Sequence, residues 1–149
     1  MYMYLHTYNC VCDLQAKAKR ISRLKSLWRA RWYGELHLKI STNVGAGWKW
    51  RNIFAIIQGH RLMWWVSSND FDRGKKPLGQ IIFAGHAGLA GLSPLDLRQM
   101  QKSEFSRAIS VFGRGEIEQQ KLILLASSDD EKELIERLIA EITLDPKID

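Results

Sequence analysis

Three positively charged side chains lie close together in the sequence, around a segment that contains glycine. Lys39 is followed by residues 40–48, and these lead directly into Lys49, Trp50 and Arg51. Alternate residues of a strand share a face, so Lys49 and Arg51 are expected to project together, with Lys39 across from them on a neighbouring strand. Arginine binds phosphate through two parallel hydrogen bonds, and lysine contributes a point charge. This spacing predicts a site for a phosphate-bearing anion.

The segment between these cations fits the same chemistry. Gly45 and Gly47 would let backbone N–H groups approach a phosphate, because neither residue carries a Cβ atom. Further basic residues could widen the positive field: Arg61, Arg73, Lys75 and Lys76. The alternative interpretation is that all of these are ordinary solvated charges.

The charge of the chain is unevenly distributed. Residues 1–76 contain 14 Lys or Arg and four Asp or Glu, a net charge of +10. Residues 77–149 contain eight Lys or Arg and 12 Asp or Glu, a net charge of −4. A chain polarised in this way can turn one end toward an anionic partner, which could be a membrane lipid, a nucleic acid or an acidic protein.

No catalytic, metal or cofactor motif is found in the sequence. Cys10 and Cys12 are separated by one residue, which suits neither a disulfide nor a zinc site and favours a reducing, intracellular environment. The glycines of residues 85–91 lack the Lys-Ser/Thr of a phosphate-binding loop. The four histidines show no metal-binding spacing: His6, His37, His60 and His86. The sequence is therefore interpreted as that of a non-enzymatic, cytoplasmic protein.

Hydrophobic periodicity predicts a helix, then strands, then a second helix. Residues 13–31 alternate apolar and basic positions at helical spacing, which predicts a basic amphipathic linker helix or a helix that lies on a membrane surface. Residues 33–41 alternate with a period of two, as in a half-buried strand. The remaining predicted strands cover residues 48–57, 61–66, 78–84, 105–112 and 121–126. Residues 67–76 are expected to form a polar loop.

Residues 85–104 are predicted to be a flexible insertion, with a seventh short strand near residues 95–100. The last element begins at Ser128, which forms a capping box with Glu131. One apolar stripe then follows along the predicted helix: Leu134, Ile135, Leu138, Ile139 and Ile142. A stripe this wide needs a surface to cover, and the open end of a small barrel provides one. No stretch of 18 apolar residues is present, so any membrane contact is expected to be peripheral.

Several short motifs, in this order, resemble those of the pleckstrin homology domain. The motifs are Gly34-Glu35-Leu36, Trp48-Lys49-Trp50-Arg51, Leu62-Met63-Trp64-Trp65 and Pro77-Leu78-Gly79-Gln80-Ile81, and the C-terminal helix follows them. The resemblance covers about residues 32–144 and implies a seven-stranded antiparallel barrel capped by the helix. The helix of that family usually carries a tryptophan, and here its position falls near Leu134 or Ile135. We therefore expect a linker at 1–31 and a domain at 32–145.

The resemblance implies a non-catalytic adaptor that binds a phosphoinositide or an anionic membrane. Lys39, Lys49 and Arg51 match the phosphoinositide-binding signature of that family, with Arg61 and Lys75 as further headgroup contacts. The basic segment before the first strand is similar to the arrangement in Rho guanine nucleotide exchange factors, which adds a small GTPase as an expected partner. The alternative is a protein-interaction or autoinhibitory module without specific lipid binding. Nucleic acid is not expected, because no nucleic-acid-binding fold is recognised.

Two environments are possible for Trp50 of the Trp48-Lys49-Trp50-Arg51 motif. Trp50 could be exposed and enter the headgroup region of a membrane. It could equally pack on the predicted N-terminal helix, and this second environment is slightly favoured.

Overall fold

The computed structural model describes residues 27–42, 47–83, 88–115 and 118–144 of the 149-residue chain. Seven strands lie within these residues: β1 (Trp32–Ser41), β2 (Trp48–Gln58), β3 (Arg61–Trp65), β4 (Gly79–Ile82), β5 (Gly88–Ala90), β6 (Ala108–Arg114) and β7 (Gln119–Leu125). Four helices accompany them: α1 (Ser68–Asp72), α2 (Pro94–Gln99), α3 (Lys102–Phe105) and α4 (Asp129–Leu144). Most of the predicted basic helix, residues 13–26, lies outside the described residues, as do Cys10 and Cys12.

The strands form a single antiparallel sheet that closes on itself. Their order is β4-β3-β2-β1-β7-β6-β5, and an additional pairing between Ile82 of β4 and Arg114 of β6 turns the sheet into a barrel. A glycine permits this closure, because a Cβ atom on Gly113 would lie only 2.7 Å from the backbone oxygen of Ile82. The expected mainly-β fold, a seven-stranded antiparallel barrel with a C-terminal helix, is confirmed.

The alternation predicted for the first strand is present in β1. Leu36 and Leu38 are buried in the barrel core, whereas Glu35 on the other face is exposed. β2 differs because the five residues from Ile53 to Ile57 are all buried. Ile53, Ala55 and Ile57 join the barrel core, and the two residues between them pack on the outside of the sheet.

Two apolar clusters cover parts of the outer surface of the barrel. One contains four buried residues from three parts of the chain: Leu27, Phe54, Ile56 and Trp65. Phe71 of α1 packs against it, so residues 67–76 contain a short helix rather than the predicted loop alone. The second cluster places Met100 and Phe105, from the predicted insertion, against residues of β6 and β7.

The insertion is more regular than the sequence predicted. The seventh strand is β5 (Gly88–Ala90), which pairs with β6, and the predicted strand at 95–100 is wrong because α2 occupies Pro94–Gln99. Ser93 and Asp96 form a capping box that starts this helix. Phe105 ends α3, and β6 begins only at Ala108.

The C-terminal helix starts at the predicted cap. Ser128 Oγ accepts a hydrogen bond from the backbone N–H of Glu131 at 3.1 Å. The Glu131 carboxylate accepts one from the N–H of Ser127, one residue earlier than in the predicted capping box. Three residues of the predicted stripe are buried against the barrel: Ile135, Ile139 and Ile142. Leu134 is exposed, so the buried stripe is narrower than predicted.

Candidate functional site

Three connections of the barrel leave the sheet at the same end, which we call the barrel mouth. Leu38 of β1 pairs with Arg51 and with Leu124, so the end of β1 lies beside the beginnings of both β2 and β7. β3 runs antiparallel to β2 and ends opposite Phe54, which directs the β3–β4 connection the same way. The mouth is therefore formed by the β1–β2, β3–β4 and β6–β7 connections.

Lys49 and Arg51 project together at this mouth. They share a strand face with Ile53, which is buried in the core, so they continue the inward-facing row beyond the filled part of the barrel. Both side chains are exposed. Within the described parts of the chain, neither takes part in a side-chain hydrogen bond or an ion pair. Two cations are thus free to meet an anion at the mouth.

The structure does not bring Lys39 to the same place. Lys39 pairs with Trp50, and residues directly opposite each other in a sheet share a face. Lys39 therefore lies on the outer face of the barrel, whereas Lys49 and Arg51 lie on the inner face. The predicted convergence of the three cations is wrong, because their positions in the register differ by one residue.

Lys39 is held by residues of the insertion. Its ammonium group lies 3.3 Å from Asp96 Oδ1 and donates a further hydrogen bond to Gln99 Oε1. The same nitrogen lies 5.2 Å from the centre of the Trp48 ring, in a cation–π arrangement. Only 13% of the Lys39 side chain is exposed, so this cation is engaged within the domain.

A second lysine meets the same carboxylate. Lys121 Nζ lies 3.4 Å from Asp96 Oδ2, which also accepts a hydrogen bond from the backbone N–H of Ser93. Burial alone would raise the pKa of Asp96. The hydrogen bonds with Ser93, the hydrogen bond from Lys39 and the charge of Lys121 together outweigh burial and lower the pKa to about 2. Asp96 thus remains ionised and joins α2 to the outer face of β1 and β7.

Trp50 also contacts the insertion. Its indole nitrogen donates a hydrogen bond of 2.6 Å to Glu104 Oε2. The ring meets Trp48 edge-on at 5.3 Å and packs on the cluster that contains Met100. The prediction of an exposed Trp50 is therefore wrong, because α3 and neighbouring residues cover part of its side chain. The predicted packing of Trp50 on the N-terminal helix falls mostly outside the described residues.

The other two predicted contacts lie in different places. Lys75 is exposed in the β3–β4 connection, at the mouth, and pairs with Asp70 at 3.5 Å. Arg61 pairs with Gln58 at the far end of β2. Gln58 lies seven positions after Arg51, about 23 Å along a strand, so Arg61 does not join the cations at the mouth.

A cleft of about 320 Å³ opens between the β3–β4 and β6–β7 connections. Its walls combine two apolar side chains, two glycines, three glutamines and one carboxylate: Trp64, Leu78, Gly79, Gly115, Gln80, Gln119, Gln120 and Glu118. Amide side chains of this kind can bind hydroxyl groups. The cations and the cleft are thus separate features of the same end of the barrel.

The residues that engage Lys39 and Trp50 were not predicted from the sequence. Asp96 is 57 positions from Lys39, and Glu104 is 54 positions from Trp50. A local signal for α2 is the Ser93–Asp96 spacing, which is that of a helix cap. That signal predicts where α2 starts, but it does not show which surface α2 packs on.

Residues 27–42, 47–83, 88–115 and 118–144 contain neither a candidate membrane-spanning helix nor a candidate metal cluster. None of the helices there is both long and apolar enough to cross a bilayer. No group of three or more His, Cys, Asp or Glu side chains in those ranges is placed to hold a metal ion.

Comparison with known proteins gives matches at the level of structure. No family model matches the chain, and no curated protein matches it. A chain in the crystal structure of SifA and SKIP is similar with a TM-score of 0.57 at 17% identity, covering 76% of this chain and 97% of that one. The PH domain of human oxysterol-binding protein-related protein 11 has a TM-score of 0.52 at 21% identity, covering 75% and 78%.

A third similar structure is the Slm1 PH domain in complex with phosphoserine, with a TM-score of 0.54 at 10% identity, covering 76% of this chain and 96% of that one. These similarities agree with the strand order, the closed barrel and the C-terminal helix. The chain therefore has the fold of the pleckstrin homology domain.

Proposed function

We propose that this domain is a non-catalytic module that binds phosphate-bearing lipid headgroups at an anionic membrane surface through Lys49 and Arg51. The observation that carries the proposal is the position of these two side chains. Both are exposed at the barrel mouth on one strand face, without an ion-pair partner among the described residues. The spacing of two along β2 allows both to contact the same anion.

The basic residues of the β3–β4 connection also support a membrane that faces the barrel mouth. Arg73, Lys75 and Lys76 are exposed and lie at the mouth, whereas Lys39 is engaged by Asp96 and Arg61 lies at the other end of β2. Structures of the Slm1 PH domain are described in complex with phosphoserine and with inositol 4-phosphate. A phosphoinositide or another anionic lipid is therefore the ligand class we propose for this chain.

The test is sedimentation of the domain with lipid vesicles. Vesicles of phosphatidylcholine alone, with phosphatidylserine, and with a phosphoinositide separate specific binding from general electrostatic attraction. Each basic residue near an anionic surface contributes about 1 kcal/mol, so Lys49→Ala with Arg51→Ala should weaken binding about thirtyfold. Added salt should weaken the binding of the unmodified domain.

A control variant removes the same charge elsewhere. Arg61→Ala with Arg137→Ala also lowers the net charge by two, and Arg61 lies at the other end of β2 whereas Arg137 is exposed on α4. Equal losses of vesicle binding in the two double variants would show that the effect depends on net charge alone. Unchanged binding in the Lys49 and Arg51 variant would refute the proposal.

A second candidate function is docking of a protein, and the insertion favours it. Leu95 and Leu97 of α2 are exposed, although α2 itself is fixed to the barrel through Asp96. A DH/PH fragment of PDZRhoGEF in complex with human RhoA has a TM-score of 0.53 to this chain at 14% identity, covering 78% of this chain and 29% of that one. A small GTPase is therefore the partner to test.

Calorimetric titration with RhoA, in its GDP and GTP-analogue forms, tests this second candidate. Binding that is lost in Leu95→Asp with Leu97→Asp, while vesicle binding is unchanged, would support it. Absence of binding to either form would count against it.

A further inference from the structure

The part of β2 that carries the two cations of the mouth receives little support from neighbouring strands. β3 pairs with β2 only from Phe54 onward, and β7 pairs with β1 only as far as Leu38. Within the described residues, 39–41 and 48–50 therefore pair only with each other and form a two-stranded ribbon that extends beyond the rest of the sheet. A two-stranded ribbon on its own is marginally stable in water, so contacts outside the sheet decide how well its position is fixed.

The insertion supplies such contacts on the outer face of this ribbon. On the β1 side, Asp96 of α2 forms the ion pair with Lys39. On the β2 side, Glu104 of α3 accepts the hydrogen bond from the indole nitrogen of Trp50, whose ring packs on the cluster that contains Met100. Each of the two paired segments of the ribbon is thus joined to the insertion by a polar contact.

The contact at Trp50 bears directly on the two cations. Trp50 lies between Lys49 and Arg51 in the sequence, and its side chain lies on the outer face of the barrel whereas theirs lie on the inner face. The acceptor is a carboxylate at 2.6 Å, and hydrogen bonds to charged groups are stronger than those between neutral groups. Fixing Trp50 from outside therefore fixes the backbone from which both cations extend, which lowers the entropic cost of binding an anion.

We propose that the insertion holds the ribbon in place and that Glu104 is a positioning residue, which keeps Lys49 and Arg51 ready for the anion through its hydrogen bond with Trp50. This inference rests on the proposed function, which assigns the anion to those two cations. The sign of the expected effect separates positioning from charge. Loss of the Glu104 carboxylate raises the net charge of the chain and by itself would favour an anionic surface, whereas loss of positioning weakens binding.

The first test changes the donor of the hydrogen bond. Glu104 also accepts a hydrogen bond from the N–H of Gln101 at the start of α3, and Trp50→Phe leaves that contact intact while it keeps an aromatic ring. Trp50→Phe should weaken the binding of the full chain to vesicles that contain a phosphoinositide about fivefold. Trp48→Phe is the matched control and should change binding little, because the Trp48 indole nitrogen takes part in no hydrogen bond within the described residues.

The second test changes the acceptor at constant charge. Glu104→Ala and Glu104→Gln have the same net charge, but only glutamine keeps a side-chain oxygen that can accept from the indole. Vesicle binding should be about fivefold weaker in Glu104→Ala and close to that of the unmodified protein in Glu104→Gln. Amide hydrogen exchange at residues 49–51 should be faster in the alanine variant alone. Circular dichroism of each variant establishes that it is folded.

A combined variant shows whether Glu104 acts through the two cations. In a chain that already carries Lys49→Ala and Arg51→Ala, Glu104→Ala should cause no further loss of binding, whereas an additive loss would contradict positioning. If Lys49→Ala with Arg51→Ala weakens vesicle binding but neither Trp50→Phe nor Glu104→Ala does, this inference fails and the proposed function stands. If the Lys49 and Arg51 variant binds as well as the unmodified protein, both fail. Equal losses in Glu104→Ala and Glu104→Gln would also refute the role of the Trp50 hydrogen bond.

Discussion

Replacing Asp96 with asparagine should remove an acid-sensitive part of the stability of the domain. Asparagine resembles the protonated carboxyl group in shape, but it carries no charge to meet Lys39 and Lys121. The pKa of Asp96 falls from 3.8 to about 2 in the folded protein. A difference of roughly two pH units corresponds to about 2.5 kcal/mol of folding free energy, at 1.36 kcal/mol per unit.

The sign of the effect follows from the direction of the shift. The folded state binds the proton of Asp96 less tightly than the unfolded state, so the ionised form stabilises folding. This contribution is complete above the unfolded pKa of 3.8 and is lost as the pH falls toward about 2. The free energies of unfolding of the two proteins should therefore differ by about 2.5 kcal/mol at pH 7 and should become similar near pH 2.

Urea unfolding of both proteins between pH 2.5 and 7 measures this difference. Amide hydrogen exchange at Ser93, whose N–H donates to Asp96 Oδ2, shows whether α2 opens locally before the barrel unfolds. Asp70→Asn is the control, because Asp70 pairs with the largely exposed Lys75 and such surface pairs contribute less than about 1 kcal/mol. A difference between Asp96→Asn and the unmodified protein that is the same at pH 7 and pH 3 would refute the reasoning.

Two steric predictions have controls within the chain. Gly79→Ala should lower the free energy of unfolding by about 1–3 kcal/mol, because its Cβ would lie 2.4 Å from the Trp64 ring, whereas Gly91→Ala should change it little since nothing lies within 4 Å. Urea unfolding measures both, and equal effects would contradict the packing at Trp64. Ile139→Ala should cost about 2–5 kcal/mol because Ile139 is fully buried, and Leu134→Ala, at a position that is 42% exposed, should cost much less. Thermal or urea unfolding tests this pair, and a larger loss at Leu134 would show that the helix packs on its other side.

Much of the fold could be predicted because its signals are local. The alternation in β1 and the start of α4 at Ser128 depend on residues within a few positions of each other. Leu36 and Leu38 face the core as the pattern predicted. The short strand β5 was placed too late in the chain, because its three residues carry too little pattern to predict a strand.

The candidate site was predicted only in part. Lys49 and Arg51 share a face because they are two residues apart on one strand, and this follows from the sequence alone. Which face they share did not follow, because residues 53–57 of β2 are apolar at every position. Both faces of that strand are covered, the inner one by the barrel core and the outer one by Leu27 and Phe71.

The sequence by itself therefore determined six of the seven described strands, the capped helix and the pair of cations at the start of β2. Only the tertiary structure decided that Lys39 lies on the opposite face, because the register of β1 against β2 pairs it with Trp50. It also decided that Lys39 meets Asp96, a residue 57 positions away whose place is set by the packing of the insertion on the sheet. A shift of one residue in strand register exchanges the two faces of a sheet, and no local pattern in β2 fixes that register.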